Sequence, residues 1–508
     1  MAPGGRHRRL GASLAIVLIV VVGAGCSSAA GPVATSSTAA SPGSTQAALP
    51  ALPPPAPIVW SACAGSTTLQ CGTVSVPVDY QHPRGPQFRL AVSRAPALDA
   101  SDPGGVLLFN PGGPAESGNQ ILPVVLNLFP AAIRQRFDVV SFDPRGTGAS
   151  DPLMCGTPTS ALTSALPVPA APGLPLPGTP VFTTMARACQ TQAVEPFINT
   201  VDTARDMDRI RQALGVPTIS FYGMSYGTML GAVYADLFPH RVTTMVLDGA
   251  VDVNATLTQQ AVQEAPAAEQ SLHHLFATCL AQAPCPLGTD PQTFFSELAT
   301  SLRDHPLPAP GSGDPYPVTE GDLDGATLFA LSVTQSTGLF YSALIAAKAG
   351  NGVPLRNLAL DFATDVDGAP LVDPLWTITC NDAASHPGPV AAGALARSLD
   401  ARYPLVGAYA VNYTMGGCVA WPAARQPVVN LHPVGTPPIL VIGNTGDPNT
   451  PIIGARHLAA IFPTATMATW KGWGHTWLLS GSGDTCMQQV VTRYLDGAVL
   501  PPHGTVCD

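Results

Sequence analysis

Residues Phe221–Gly227 read FYGMSYG and place Ser225 between two glycines at the end of an apolar run. A G-x-S-x-G sequence between a strand and a helix is typical of a nucleophile elbow, a sharp turn that presents the serine hydroxyl at the edge of a sheet. The apolar run before Ser225 predicts the strand, and TMLGAVYADLF after it predicts the helix. Gly223 and Gly227 lack the β-carbons that would clash in such a turn. We therefore expect Ser225 to be a nucleophile at the positive end of a helix dipole.

A serine nucleophile needs a base to take its proton and an acid to orient that base. PPILVIGNTGDPNTP places Asp447 on the loop after a buried strand, and His475 follows 28 residues later in GWGHTW. Both lie at the carboxyl ends of predicted strands, where parallel sheets assemble their sites, and the order serine, acid, histidine fits the elbow pattern. Three alternatives stay open. Asp447 only shapes the GDPNTP turn, His475 only packs against neighbouring tryptophans, or Asp248, at another strand end, is the acid.

The oxyanion formed by attack on a carbonyl requires backbone N–H donors. The amide of Tyr226, directly after the nucleophile, is one expected donor. The second is expected from LLFNPGGPAESG (107–118), with Gly113 favoured over Gly112. The alternative is a glycine turn without a catalytic role.

The chain alternates apolar, β-branched runs with helical stretches, which predicts an α/β fold with a mostly parallel central sheet. This rhythm stops between Gly249 and about His432, where helix-like segments follow one another. We expect a helical cap over residues 250–432, inserted into a core formed by residues 58–249 and 433–508. A second, proline-rich insertion is expected over residues 151 to about 198.

NPGGP, DPRGTGASD, YGMSYGT, GDPNTP and GHT resemble the secreted tripeptidyl-aminopeptidase group of α/β-hydrolases, found in actinobacteria including mycobacteria and related to proline iminopeptidases. The resemblance covers roughly residues 58–508. It implies an α/β-hydrolase fold with a cap, a triad of Ser225, Asp447 and His475, and release of short peptides from free N-termini. The chain departs from the group's usual G-G-P-G-x-S-G at Ala115, which replaces a glycine.

An enzyme of this kind must bind the ammonium group of its substrate, which calls for a carboxylate in the pocket. Glu116 on the oxyanion loop and Asp382 in TITCNDAAS are the candidates, and Asp382 is favoured because Cys380 would fix its loop. The alternative for each is a solvated surface acid.

The N-terminus predicts export. Residues 1–26 combine early arginines with the apolar stretch LGASLAIVLIVVVG and end in VGAGC, which resembles a lipobox with Cys26 as the lipidated residue. A plain cleaved signal and an uncleaved anchor are the alternatives. Residues 27–57 are rich in Ser, Ala, Thr and Pro and predict a tether.

Ten of the eleven cysteines remain if Cys26 carries lipid, and outside the cytosol an even set favours disulfides over metal. Pairing each with the next would give five local bridges, although spacing alone leaves other connectivities open. No cysteine–histidine pattern suggests zinc.

The composition places the 508-residue chain among globular proteins, with 46% hydrophobic and 11% charged residues. The net charge of −10, without a basic stripe, argues against nucleic acid as a partner. Together these features predict an exported, cofactor-independent serine hydrolase that acts on the N-termini of peptides or proteins at the cell envelope. A carboxylesterase or lipase acting on envelope lipids is the alternative, and an inactive binding lipoprotein with the same fold is a third.

Overall fold

The central sheet contains the strands that the sequence predicts before Ser225, Asp447 and His475. The computed structural model describes residues 49–508 except 100, 283 and 310–314, so the predicted signal segment, Cys26 and most of the tether lie outside the described residues. Within these residues ten strands form one sheet. They are β1 (Ser61–Ala62), β2 (Gln70–Pro77), β3 (Gln87–Ala95), β4 (Gly105–Asn110), β5 (Phe137–Phe142), β6 (Ile219–Met224), β7 (Val242–Asp248), β8 (Ile439–Gly446), β9 (Ala465–Trp473) and β10 (Val506–Cys507).

The strand order is β1-β2-β3-β5-β4-β6-β7-β8-β9-β10. β1, β2 and β3 pair antiparallel, as does β3 with β5, whereas every pair from β5 to β10 is parallel. β4, β6, β7 and β8 are almost wholly buried, as continuous apolar strands between two layers of helices should be. The predicted α/β class with a mostly parallel sheet is therefore confirmed.

Seventeen α-helices of the described chain lie in the connections between strands and after β9. They are α1 (Gly118–Val125), α2 (Ala131–Arg136), α3 (Thr159–Thr163), α4 (Thr179–Cys189), α5 (Thr200–Ala213), α6 (Tyr226–Leu237), α7 (Leu257–Ala281), α8 (Pro291–Asp304), α9 (Glu320–Ser332), α10 (Thr337–Lys348), α11 (Val353–Asp361), α12 (Val372–Asp382), α13 (Pro389–Asp400), α14 (Tyr409–Met415), α15 (Ile452–Ile461), α16 (Trp477–Ser480) and α17 (Thr485–Gly497). No single helix among the described residues has the length and apolarity to cross a membrane; Glu320–Ser332 with Thr334–Lys348 reaches both only as a pair bent by 118°.

The segment between β7 and β8, where a helical cap is expected, contains α7 to α14. Most of its first part, from Ala268 on α7 to Ala359 on α11, forms a hydrophobic core of its own, which Leu405 and Val406 before α14 join. The beginning of α7 and the part from α12 onward instead share the core of the sheet, the latter through Trp376, Cys380 and Cys418. The cap is therefore physically two units: one packs on itself and one packs on the sheet layer.

The proline-rich insertion over residues 151–198 belongs with the second of these units. Phe182 on α4 packs edge-on against Trp376 on α12, with ring centroids 5.8 Å apart. The amide of Leu176 donates to the Pro389 carbonyl at the start of α13 (2.9 Å). The two inserted segments, distant in sequence, thus cover the sheet together.

The ten cysteines of the described chain are paired as consecutive neighbours, as the sequence suggested. The bridges are Cys63–Cys71, Cys155–Cys189, Cys279–Cys285, Cys380–Cys418 and Cys486–Cys507. Such a set is typical of proteins that fold in an oxidising compartment.

Arg145 of the DPRGTG motif is fully buried under the antiparallel end of the sheet. Its guanidinium donates two hydrogen bonds to the Asp206 carboxylate (2.8 and 2.6 Å) and others to the carbonyls of Pro77 and Val78 at the end of β2 (3.2 and 3.0 Å). Tyr80 donates to the same carboxylate (2.7 Å). A buried cation is tolerated only when it is paired and hydrogen-bonded in this way, so Arg145 ties β2 and α5 to the loop after β5.

Replacing Arg145 should show how strongly the stability of the fold depends on the ion pair between Arg145 and Asp206. We expect Arg145→Met to lower the free energy of unfolding by roughly 3–5 kcal/mol, because Asp206 is left buried without a counter-charge. The double variant Arg145→Met/Asp206→Leu should recover much of this loss. Urea unfolding of residues 49–508, followed by tryptophan fluorescence, measures both; a double variant no more stable than the single one would contradict the interpretation.

Candidate active site

Ser225 occupies a strained turn between β6 and α6. Its backbone angles, φ +54° and ψ −125°, are unusual for a residue with a side chain and cost on the order of 1–3 kcal/mol. The turn is tight enough that a β-carbon at Gly223 would lie 2.3 Å from the carbonyl oxygen of Gly227. The sequence of the elbow and its backbone are thus consistent, and the Ser225 side chain is partly exposed.

The loop after β4 lies against this turn. Gly112 has a φ of +105°, and a β-carbon there would lie 2.9 Å from the Ser225 β-carbon. The Gly112 amide donates to Asn110 Oδ1 (3.1 Å), whereas the amides of Gly113 and Tyr226 have no acceptor among the described residues. Tyr226 is the first residue of α6, where amides lack intrahelical partners. Gly113 and Tyr226 are therefore the two candidate oxyanion donors.

Asp447 and His475 are paired. The Nδ1 atom of His475 lies 2.9 and 3.0 Å from the two carboxylate oxygens of Asp447. Asp447 also accepts hydrogen bonds from the amides of Thr450 and Thr476 (2.8 and 3.1 Å), so it shapes the GDPNTP turn in addition to holding the histidine. The Thr450 hydroxyl lies 2.9 Å from Asp447 Oδ2 and 3.3 Å from His475 Nδ1.

Burial and charge shift the pKa values of Asp447 and His475 in opposite directions. Burial is the strongest single effect and disfavours the charged form of both residues. The attraction and hydrogen bond between them outweigh it, so the pKa of His475 lies above its ordinary value and the pKa of Asp447 lies below. The ring is oriented by Asp447 rather than packed between tryptophans, since Trp473 stacks on His274 instead, with ring centroids 3.7 Å apart.

Asp248, the alternative acid, connects the serine turn with the histidine loop. Its backbone carbonyl accepts from the Ser225 amide (2.9 Å), and its carboxylate accepts from the amides of Trp477 and Leu478 (2.8 and 2.9 Å) and from the Tyr222 hydroxyl (2.8 Å). Burial raises the pKa of Asp248 to about 6. Its oxygens are occupied by these donors, so Asp447 and not Asp248 is the partner of the histidine.

The serine opens into a cavity of about 120 Å³, here called the nucleophile cavity. Gly113, Ser225 and Tyr226 line one side, and Thr450, Tyr413 and Glu264 line another. The cavity is roofed by α7 and α14, so the expected cap covers the serine.

Glu264 on α7 was not predicted from the sequence. Its Oε2 atom is buried and has no hydrogen-bond partner among the described residues. Burial, together with the negative charge of Asp447, raises the pKa of Glu264 well above its ordinary value. The signal was present in the periodicity of α7, because Ala261, Ala265 and Ala268 are buried on the same face.

The two carboxylates predicted to bind an ammonium group do not line the nucleophile cavity. The Asp382 carboxylate accepts from the amide and hydroxyl of Thr200 (2.8 and 2.5 Å), and the Thr200 hydroxyl also contacts the hydroxyl of Tyr226. Burial raises the pKa of Asp382 to about 7. Glu116 is half-buried, and burial together with the charge of Asp365 raises its pKa to about 7.

Two groups of potential metal ligands occur among the described residues. Each combines an aspartate, Asp373 or Asp484, with both cysteines of one disulfide. Because these sulfurs are bonded to each other, neither group supplies thiolates, and neither includes a residue of the nucleophile cavity.

A parallel sheet with a serine elbow, an aspartate–histidine pair and two free backbone donors defines a serine hydrolase. The alpha/beta hydrolase fold family matches residues 105–482, and the chain belongs to this family. It is 30% identical over 484 residues to serine protease Hip1 of Mycobacterium tuberculosis (strain ATCC 25618 / H37Rv), covering 89% of this chain and 91% of that protein. It is 31% identical over 484 residues to carboxylesterase B of the same strain, with the same coverage.

The tripeptidyl aminopeptidase of Streptomyces lividans is 29% identical over 469 residues, covering 86% of this chain and 84% of that protein. The resemblance drawn from the motifs is therefore confirmed. These relatives carry peptidase and esterase names, so the protein is a serine hydrolase whose substrate is a separate question.

The raised pKa of His475 gives a pH dependence with a defined sign. A base must be neutral, so kcat/KM should fall as the pH drops through the His475 pKa, with a midpoint above 6.5. In Asp447→Asn the attraction that raises this pKa is lost, so the midpoint should move to lower pH and the rate should fall on the order of 10⁴-fold. Initial rates on a chromogenic substrate between pH 5 and 9 measure both, with the exposed Asp99→Asn as control. A wild-type midpoint below 6.5 would contradict the assignment of His475 as the base.

Proposed function

We propose that this protein is an exported aminopeptidase that releases short peptides, of tripeptide size, from the free N-termini of peptides or proteins. Ser225 is assigned as nucleophile, His475 as base and then acid, and Asp447 as the group that orients the ring. The Gly113 and Tyr226 amides are assigned to the oxyanion. The proposal rests on the Asp447–His475 pair, on the residues that line the nucleophile cavity and on the peptidase relatives.

In the proposed first step, the Ser225 oxygen bonds to the substrate carbonyl carbon while its proton passes to His475. The C–N bond then breaks, and the leaving amine takes that proton from the ring. Water, deprotonated by His475, next attacks the acyl-enzyme and restores the serine. Neither step calls on a metal or a cofactor.

The observation that carries the aminopeptidase assignment is the carboxylate of Glu264. A buried acceptor without a partner costs about 1–3 kcal/mol, and a donor on a bound substrate would offset that cost. The ammonium group of a peptide N-terminus is a cation with three donors and fits this carboxylate. Binding of the ammonium would stabilise the ionised form of Glu264, which burial alone disfavours.

An esterase is the second candidate function. It is supported by the relative named carboxylesterase B and by an apolar cavity of about 220 Å³ beside the nucleophile cavity. An ester substrate would leave Glu264 unsatisfied, which is why the peptidase is preferred. The non-catalytic alternative is not preferred, since the strained serine turn and the Asp447–His475 pair are both present.

Glu264→Gln provides the decisive test. It should raise KM for a tripeptide anilide with a free amine by roughly 30-fold or more, because removing one member of a buried charge pair costs about 2–5 kcal/mol. Hydrolysis of the N-acetylated anilide and of a short-chain ester should be unaffected, since neither carries the ammonium group. Steady-state kinetics on the three substrates measures the effect.

Glu297→Gln, on an exposed surface, serves as the matched control, and Ser225→Ala gives the background rate. Equal cleavage of free and acetylated anilides by the wild type would exclude the aminopeptidase. Ester turnover without any anilide cleavage would establish the esterase. A loss of binding in Glu116→Gln but not in Glu264→Gln would assign the ammonium to the oxyanion loop.

Export and lipidation are a separate part of the proposal. They are supported by the lipobox-like VGAGC and by the disulfides of the described chain. We propose that Cys26 carries the lipid and holds the enzyme at the outer face of the membrane.

Cys26→Ser should move the protein from the membrane fraction to the medium, because the thiol that accepts the lipid is lost. Immunoblots of fractionated cells, with metabolic labelling by a fatty-acid analogue, measure location and modification together. Ser27→Ala, next to the modified residue, is the control. A variant that stays in the membrane without label would identify an uncleaved anchor instead.

A further inference from the structure

A second cavity, of about 220 Å³, adjoins the nucleophile cavity and is here called the adjoining cavity. Ser225 and Glu264 line the nucleophile cavity and not the adjoining one. The wall that the two cavities share consists of Tyr226, Val251, Gln260 and Thr379. Since Tyr226 directly follows the nucleophile, the reacting centre lies where the two cavities meet.

The lining of the adjoining cavity is mainly apolar and offers no free charge. Met229, Leu257 and Val428 are among its apolar residues, and no lysine, arginine or histidine occurs among its described lining residues. Its one carboxylate, Asp382, already accepts two hydrogen bonds from Thr200. Such a surface binds uncharged, apolar groups and rejects charged ones, because a charge there would lose its hydration without gaining a partner.

The orientation of a bound substrate follows from the arrangement of the nucleophile cavity and the adjoining cavity on either side of Tyr226. If the free amine binds Glu264, the residues before the scissile bond occupy the nucleophile cavity. The scissile carbonyl lies at Ser225 with its oxygen at the Tyr226 amide. The chain that follows the bond must then leave on the other side of Tyr226, which is the adjoining cavity.

We infer that the adjoining cavity binds the leaving part of the substrate and selects an apolar residue immediately after the scissile bond. The inference rests on the proposed aminopeptidase function and adds a specificity that the triad alone does not supply. It assigns to Val429, 45% exposed at the rim of this cavity, a role in choosing the leaving residue.

The test uses tetrapeptide amides with a free amine. One pair differs only in the fourth residue, Ala-Ala-Ala-Leu against Ala-Ala-Ala-Asp, and a second pair differs only in the third, Ala-Ala-Leu-Ala against Ala-Ala-Asp-Ala. The wild type should prefer leucine over aspartate at the fourth position by about 10-fold or more in kcat/KM. Mass spectrometry of the released tripeptide measures each rate.

Two variants at the rim change this preference in different ways. Val429→Trp should fill the cavity and lower kcat/KM for the fourth-position leucine peptide about 10-fold, with the third-position ratio unchanged. Val429→Arg should lower the leucine-to-aspartate ratio of kcat/KM at the fourth position about 3-fold, because a solvent-exposed arginine attracts the aspartate side chain only weakly. Val434→Trp is the control, since Val434 is 78% exposed in the same segment and does not line the cavity.

The outcomes separate this inference from the function on which it rests. If Val429→Trp changes the leucine-to-aspartate ratio of kcat/KM at the third position, the adjoining cavity holds the side chain before the scissile bond. If neither the third-position nor the fourth-position ratio changes, the cavity holds neither side chain. Either outcome overturns the inference. N-acetylated copies of the same peptides test the aminopeptidase independently. If none of the tetrapeptides is cleaved, both proposals fall.

Discussion

The site depends on one buried carboxylate that does not take part in the proposed chemistry. Asp248, at the end of β7, receives the Ser225 amide on its backbone carbonyl and the Trp477 and Leu478 amides on its side chain. The strained serine turn and the loop that carries the histidine are therefore held by the same residue. Because strained backbone persists only where the surroundings determine it, Asp248 fixes the distance between two parts of the chain that β8 and β9 separate in sequence.

Much of the fold and the proposed catalytic residues could be predicted from the sequence, because short sequence patterns determine the strands and the turns that carry these residues. The strands before Ser225 and Asp447 are continuous apolar runs of the kind that a doubly covered parallel sheet buries. His475 also follows the carboxyl end of a strand, β9, although burial alternates along that strand. Asp447 illustrates why a turn motif and an acid need not be alternatives. The same carboxylate accepts the Thr450 amide and the His475 ring nitrogen.

The cap was harder to interpret because its residues are positioned by tertiary packing. The sequence predicts that Asp382 binds the ammonium group of the substrate, yet both of its carboxylate oxygens accept hydrogen bonds from Thr200, whose position relative to α12 no local pattern encodes. Glu264 was missed because an acid in an alanine-rich helix resembles a solvated residue until the burial of its helix face is known. The division of the cap into a self-packed unit and a sheet-packed unit also has no local signature, since both units consist of consecutive helices.

The neighbour-to-neighbour disulfides bear on how the chain matures. Each bridge joins cysteines 6 to 38 residues apart, so under the proposed export a chain threaded across a membrane from its N-terminus would present both partners of one bridge before the next pair emerges. Oxidation in order of emergence would then yield the native set without reshuffling. The sheet, in contrast, depends on contacts between distant segments. β8 can pair with β7 only after the whole cap between them has emerged, so the disulfides of the earlier segments would form before the catalytic centre assembles.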